Sequence, residues 1–187
     1  FAESTEGKFK KVALEVTSYG KKIAELLNTN LVVLTINAND TSILANYGAE
    51  KIVKVSDEKL NSFNAKAYAD IVKQVAESTN ANIIVLDSSA NGSYLAPMVA
   101  VNLEAGYASK VVALPSSTSP LTVKRQAFSN KALCNTTITT PKKVIGLAKN
   151  SYGLIENITN STEETFSPSL KEDDFELKSA EIETIKG

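Results

Sequence analysis

The stretch from Ala81 to Leu103, ANIIVLDSSANGSYLAPMVAVNL, limits the fold of this chain more than any other. Four consecutive aliphatic residues, Ile83 to Leu86, stop at Asp87. Ser88, Ser89, Ala90, Asn91, Gly92 and Ser93 follow, before an apolar pattern resumes at Leu95, Ala96, Val99 and Leu103. A short run without polar alternation suits a strand covered on both faces, and the later four-residue spacing suits a helix. The segment predicts strand, turn and helix. Such a unit exposes backbone N–H groups at the helix start, where an anion or the edge of a nucleotide can sit. Ser89 and Asn91 fit an ordinary capped helix equally well, so the residues alone leave both readings open.

The same alternation runs through the first hundred residues. Apolar positions Phe9, Val12, Ala13, Val16, Tyr19, Ile23, Leu26 and Leu27 predict an amphipathic helix over 7–27, despite Gly20. A buried strand is expected over 31–36 and a short helix over 41–47, closed by Gly48. A strand over 51–55 and a helix over 64–79, with Tyr68, Ile71, Val72, Val75 and Ala76 on one face, come next. Pro97 must lie in the first turn of the third helix or bend it. This order predicts an α/β fold, with right-handed crossovers onto a parallel sheet and helices on both faces.

The pattern then changes. Strand-like runs at 108–114, 121–128, 131–140 and 143–148 have no helices between them, which predicts an antiparallel or mixed extension of the sheet. Ser129-Asn130 is the expected hairpin turn between two of them. Beyond Gly153 the chain is polar and acidic, with Phe175, Leu177, Ile182 and Ile185 as its apolar pattern, and reads as an arm on another surface or a linker.

Composition removes several functions. With one cysteine and no histidine, Ser-His-Asp and Cys-His catalysis, the usual zinc sites and a histidine switch are excluded. Cys134, in a β-like run, reads as a small core residue rather than a nucleophile. A net charge of −1 without a basic cluster gives no general attraction to nucleic acid or anionic lipid. No apolar run reaches the roughly 18 residues that span a bilayer. Asn39, Asn91, Asn135, Asn157 and Asn160 open Asn-x-Ser/Thr triplets, which carry little weight without a signal peptide. The opening Phe1-Ala2-Glu3 has neither Met nor a targeting pattern and reads as a start with residues missing before it.

In an open parallel sheet, ligands collect at the carboxyl ends of strands where the winding reverses. If Phe1-Ala2-Glu3 is the tail of a first strand, it lies beside the strand ending at Asp87. The crevice is then bordered by Glu3, Ser4, Asp87, Ser88, Ser89, Asn91, Gly92 and Ser93. Neither GxGxxG nor GxxxxGK[ST] occurs there, and Glu3 and Asp87 would repel phosphate. Ser89, Asn91, Gly92 and Ser93 therefore outline a vestigial nucleotide cleft, and the residues suggest no catalytic or metal-binding group.

FAESTEGKFKKVALEV, LANYGAEKIVKV, SSANGSYLAPMVAVNL and VKRQAFSNKAL, in that order, resemble the amino-terminal domain of the electron transfer flavoprotein alpha subunit over about residues 1–150. The resemblance implies a three-layer α/β domain of the adenine nucleotide alpha hydrolase-like type. Residues 151–187 are then a linker or arm toward an FAD domain that this chain lacks, and the chain is expected to be a fragment. It further implies a beta subunit partner that holds AMP. Electrons would pass from acyl-CoA and other dehydrogenases through FAD to a membrane quinone oxidoreductase, in the cytoplasm or, in a eukaryote, the mitochondrial matrix.

On this basis the chain is expected to be a scaffold and subunit-interaction domain that binds no flavin by itself. Arg125, Phe128 and Lys131 are the partner-facing candidates, and a solvated hairpin accounts for them as well. The sequence departs from the family where Ser93-Tyr94 replace the usual Arg-Asp before Leu95-Ala96-Pro97. It departs again where Phe128-Ser129-Asn130 replace Tyr-Ala-Gly. The alternative is a free-standing small-nucleotide-binding protein of the universal-stress type, using the cleft at Ser89 to Ser93.

Overall fold

A computed structural model of the chain describes residues 1–176; Leu177, Ile182 and Ile185 of the expected apolar pattern lie outside the described residues. The chain opens with a small hairpin of β1 (Ser4–Thr5) and β2 (Lys8–Phe9). Glu6 and Gly7 turn it at φ 50° and 76°, the left-handed pair that a two-residue hairpin needs. Helix α1 (Lys11–Leu26) therefore starts four residues later than the apolar stripe predicts. Phe9 lies in register with that stripe but belongs to the hairpin, where it packs with Ala13, Leu14 and Leu44.

β3 (Val32–Ile36), β4 (Lys51–Val55), α2 (Ala65–Ser78), β5 (Ile83–Asp87) and α3 (Ala90–Asn102) follow as expected. A single 3-10 turn, Ser42–Asn46, stands where the short helix was predicted, and Gly48 follows it at φ 97°. Asn64 caps α2 by accepting from the Lys66 and Ala67 N–H groups. Pro97 is exposed in the middle of α3, which rules out the first-turn option.

β6 (Gly106–Val111), β7 (Ser117–Thr118), β8 (Leu121–Ala127), β9 (Ala132–Ile138) and β10 (Lys143–Leu147) form the mixed extension. β10 inserts between β5 and β6, parallel to both, and β8 runs antiparallel to β6 and β9. β6 ends three residues earlier than its apolar run because the chain bulges: Ala108 faces Ile145, Val111 faces Leu147, and Lys110 takes φ 52°. The hairpin turn is four residues rather than two, Phe128 to Lys131, with Phe128, Ser129 and Asn130 all at positive φ. Cys134 is half-buried on β9, a strand at the sheet's edge, and not in the core.

Two blocks of sheet, β11-β4-β3 and β5-β10-β6-β8 with β9 outermost, are joined by the opening residues. The Ala2 N–H donates to the Leu34 carbonyl at 2.9 Å, and the Phe1 nitrogen to the Val85 carbonyl at 2.7 Å. Three layers result. Leu34, Ile36, Val53, Val55, Ile84 and Leu86 point to α2 and α3 on one face. Val85, Ile145 and Leu147 point to Val16, Tyr19 and Ile23 of α1 on the other. Each fully buried aliphatic contributes about 1.5–3 kcal/mol, so the sheet with its two covers carries most of the stability.

The polar segment beyond Gly153 is laid across this same body as far as Glu176. Its strand β11 (Thr162–Thr165) extends the sheet parallel to β4, with Glu163 and Glu164 paired to Lys54 and Lys51. Phe166, Leu170 and Phe175 pack against the α2 side of the core. Gln74 exchanges two hydrogen bonds with the Ser169 backbone, and Asp174, buried, lies 3.9 Å from the Lys66 ammonium. Among the described residues, no helix is long and apolar enough to cross a membrane.

Candidate functional site

The carboxyl ends of Phe1–Glu3 and β5 meet as the topology requires, and the sequence decides what they offer. Asp87, buried at the strand's end, accepts the Ser89 N–H at 2.7 Å. Ser89 in turn caps α3, its hydroxyl accepting the Gly92 N–H at 3.2 Å and its carbonyl the Ser93 N–H at 2.9 Å. The Asn91 amide donates to the Glu3 carboxylate at 2.6 Å. Ser88 accepts the Lys110 N–H, and Ser4 donates across to the Ile36 carbonyl.

Gly92 serves packing here. A Cβ at this position would overlap the Asp87 backbone carbonyl, so only glycine lets α3 start this close to β5. Ser93 is exposed on the far side of the turn. The structure thus brings Ser89, Asn91 and Gly92 together with Glu3 and Asp87, and it leaves Ser93 outside.

The electrostatics of the cleft are acidic. Burial pushes the Glu3 carboxyl above its ordinary value of 4.5; the Asn91 amide opposes that, the Asp87 charge adds to it, and the Lys10 ammonium partly offsets it. A carboxyl whose pKa is raised on folding adds stability below its unfolded value and loses that contribution as pH rises through the folded one. Wild type is therefore expected to lose stability relative to Glu3→Gln as pH rises above 4.5 toward neutrality, read as the difference in thermal midpoints. A difference that is flat or opposite in slope would contradict this assignment.

Neither a flavin dinucleotide nor a free nucleotide fits these residues. A diphosphate here would face two carboxylates, while the Ser89 hydroxyl and Asn91 amide already serve partners within the chain. Among the described residues, no group of three or more His, Cys, Asp or Glu is placed to hold a metal ion.

The β8–β9 hairpin offers a different surface. Phe128 is 78% exposed at its tip, and the Lys131 ammonium stands 5.9 Å from the ring centroid. Arg125 is separate from them. It is half-buried within the hairpin, donating to the Thr136 hydroxyl at 2.9 Å and to the Gln126 carbonyl. Two neighbours escaped sequence reasoning. Lys110 reaches the turn by donating to Asn130 at 3.0 Å, from a bulge that no local pattern announces. Leu133, 61% exposed, was visible as an apolar residue on the outward alternation of β9.

Comparison with known proteins agrees with this architecture. A family model described as the electron transfer flavoprotein domain matches residues 1–171. The chain is 26% identical to the protein FixB of Clostridium saccharobutylicum, over 97% of this chain and 56% of that protein. It is 25% identical to the electron transfer flavoprotein subunit alpha of Bacillus subtilis (strain 168), over 84% of this chain and 49% of that protein. The acryloyl-CoA reductase electron transfer subunit beta of Anaerotignum propionicum is 28% identical over 57% of this chain and 30% of its own length. The chain spans about half the length of the first two of these curated relatives. Over residues 1–171, from its opening Phe1-Ala2-Glu3 past β11, this chain belongs to the electron transfer flavoprotein domain family.

Proposed function

We propose that this chain is the scaffold and subunit-interaction domain of an alpha-type electron transfer flavoprotein subunit. One observation carries the reading: the cleft between Glu3 and the start of α3 is acidic, and its Ser89 and Asn91 groups are engaged within the chain. A domain so equipped acts by shape and contact. In this reading FAD resides in a further domain reached through residues 151–187, and AMP in a beta subunit. The complete complex takes electrons from acyl-CoA and other dehydrogenases and delivers them to a quinone oxidoreductase of the respiratory chain. The intact complex is placed in the cytoplasm or the mitochondrial matrix. This domain supplies no catalytic group and holds the flavin domain and the beta subunit in register.

The hairpin tip is the proposed beta-subunit contact, because an exposed aromatic beside a cation is the kind of anchor interfaces use. Mixing the chain with a cognate beta subunit is expected to give a one-to-one complex by mass in solution. Phe128→Ser is expected to weaken it by roughly tenfold or more, with folding stability changed by less than about 0.5 kcal/mol. Calorimetry with AMP and with FAD is expected to give no heat. The position of the cleft at a winding reversal favours a second reading, a free-standing small-nucleotide binder of the universal-stress type. Micromolar AMP binding by the chain alone would support that reading and displace the first.

A further inference from the structure

The net charge of −1 is unevenly spread: residues 105–155 hold seven Lys and Arg and none of the chain's 21 Asp and Glu. Part of that positive charge borders a cavity of about 380 Å³ at the carboxyl ends of β5, β10 and β6. These parallel ends are tied side by side, the Ser88 N–H donating to the Leu147 carbonyl and the Ala148 N–H to the Val111 carbonyl, both at 2.8 Å. Carboxyl ends of parallel strands are where an α/β sheet receives ligands. Lys110 and Lys149 line the cavity together with Ser88, Gln126 and Ser151.

Its donors are largely uncommitted. Among the described residues, the Lys149 ammonium and the Gln126 amide make no hydrogen bond or ion pair. Lys110 donates one of its three ammonium protons to Asn130 at 3.0 Å and keeps two. The Ser88 hydroxyl accepts the Lys110 N–H at 3.3 Å, which leaves its own proton to donate. Lys110 is set in place by the β6 bulge at φ 52°, a left-handed backbone that a residue with a Cβ seldom takes. Two carboxylates belong to the elements around these strand ends, and both are buried under donors of the chain itself. Asp87 holds the Ser89 N–H, and Glu15 holds those of Asn150, Tyr152 and Gly153.

We propose that this cavity binds a phosphoryl dianion between Lys110 and Lys149, with the Gln126 amide and the Ser88 hydroxyl as further donors. Two ammoniums match a phosphoryl charge of about −2, whereas a single carboxylate leaves one of them uncompensated. The donors come from four separate segments, which suits a tetrahedral anion better than a planar one. Both lysines are exposed, so solvent and salt screen the attraction and set the affinity at about millimolar. The site shares no donor with the Glu3–Asn91 cleft, does not rest on the scaffold reading, and lies outside the micromolar range in which AMP is tested.

Titrating the full chain with inorganic phosphate slightly above neutral pH and at constant ionic strength is expected to move the Lys110, Gln126 and Lys149 amide resonances, with a Kd of about 1–5 mM. Acetate should bind at least about tenfold more weakly. Lys110→Gln and Lys149→Gln should each raise the Kd about fivefold, while Lys131→Gln and Lys142→Gln, the same charge change outside the cavity, should stay within about twofold. Thermal midpoints within roughly 2 °C of wild type check that all four variants fold. Glycerol phosphate that binds at least as tightly as inorganic phosphate assigns the site to a phosphate ester; weaker binding assigns it to the free anion. No saturation by about 50 mM phosphate would overturn the proposal. Acetate as tight as phosphate would also overturn it, as would Lys131→Gln weakening binding as much as Lys149→Gln, since the anion would then be reading bulk charge.

Discussion

Glu15→Ala is expected to lower stability by about 3 kcal/mol, because three backbone donors lose a charged acceptor together. Glu15 is 1% exposed on α1. Its Oε1 accepts the Tyr152 and Gly153 N–H groups at 2.8 and 2.9 Å, and its Oε2 accepts the Asn150 N–H at 2.9 Å. The loop after β10 is thus a nest closed around one carboxylate, which fixes where the arm leaves the sheet. For a domain of this size the loss corresponds to a fall in melting midpoint of roughly 6–12 °C. Glu15→Gln retains one acceptor oxygen and is expected to fall between the two. Urea unfolding that finds alanine and glutamine equally close to wild type would remove the nest from any structural role.

The second large effect is expected at Gly92. Alanine is favoured over glycine in a helix by about 1 kcal/mol, yet Gly92→Ala should lose about 3 kcal/mol, since the nearest obstruction is the Asp87 backbone carbonyl, which cannot rotate away as the Asp87 carboxylate could. Ser93→Ala, next in sequence but exposed, should stay within about 0.5 kcal/mol of wild type. A stable Gly92→Ala variant would mean that α3 can back away from β5 at no penalty and that the cleft can widen. Both substitutions are read by the same denaturant titration, so the contrast between neighbours is itself the measurement.

What the residues disclosed about the fold was whatever local periodicity controls. The strands at 32–36, 51–55 and 83–87 and the bodies of all three helices were legible because runs of Val, Ile and Leu and stripes such as Ile71, Val72, Val75 tie each segment to burial. The start of α1 was misplaced because Phe9 lies in phase with the helix while Glu6-Gly7 bends the chain into a hairpin. The position of β10 was hidden for a different reason. Nothing in KVIGL states which pair of strands it separates, since pairing is decided by distant partners.

The site was partly legible in the same way. Topology located Glu3 beside Asp87 and Asn91, and the cap at Ser89 followed from its residue type. That Gly92 answers to packing depends on how near one backbone comes to another. That Arg125 turns into its own hairpin while Phe128 stays out depends on a turn of three left-handed residues, of which Asn130 signals a turn but Phe128 and Ser129 do not signal that conformation.

The insertion of β10 sets an order of events for a chain emerging from the ribosome. β5 is complete at Asp87, yet the neighbour it pairs with does not begin until Lys143, after the whole β8–β9 hairpin has been made. Until then Ile84, Val85 and Leu86 have an open edge, and closing the loop back to them is a slow, late step. The hairpin, whose contacts are local, can form first and deliver β10 to its place. Half of the sheet is thus committed only when Leu147 has been synthesised, and a chain interrupted before that residue would keep a sticky border.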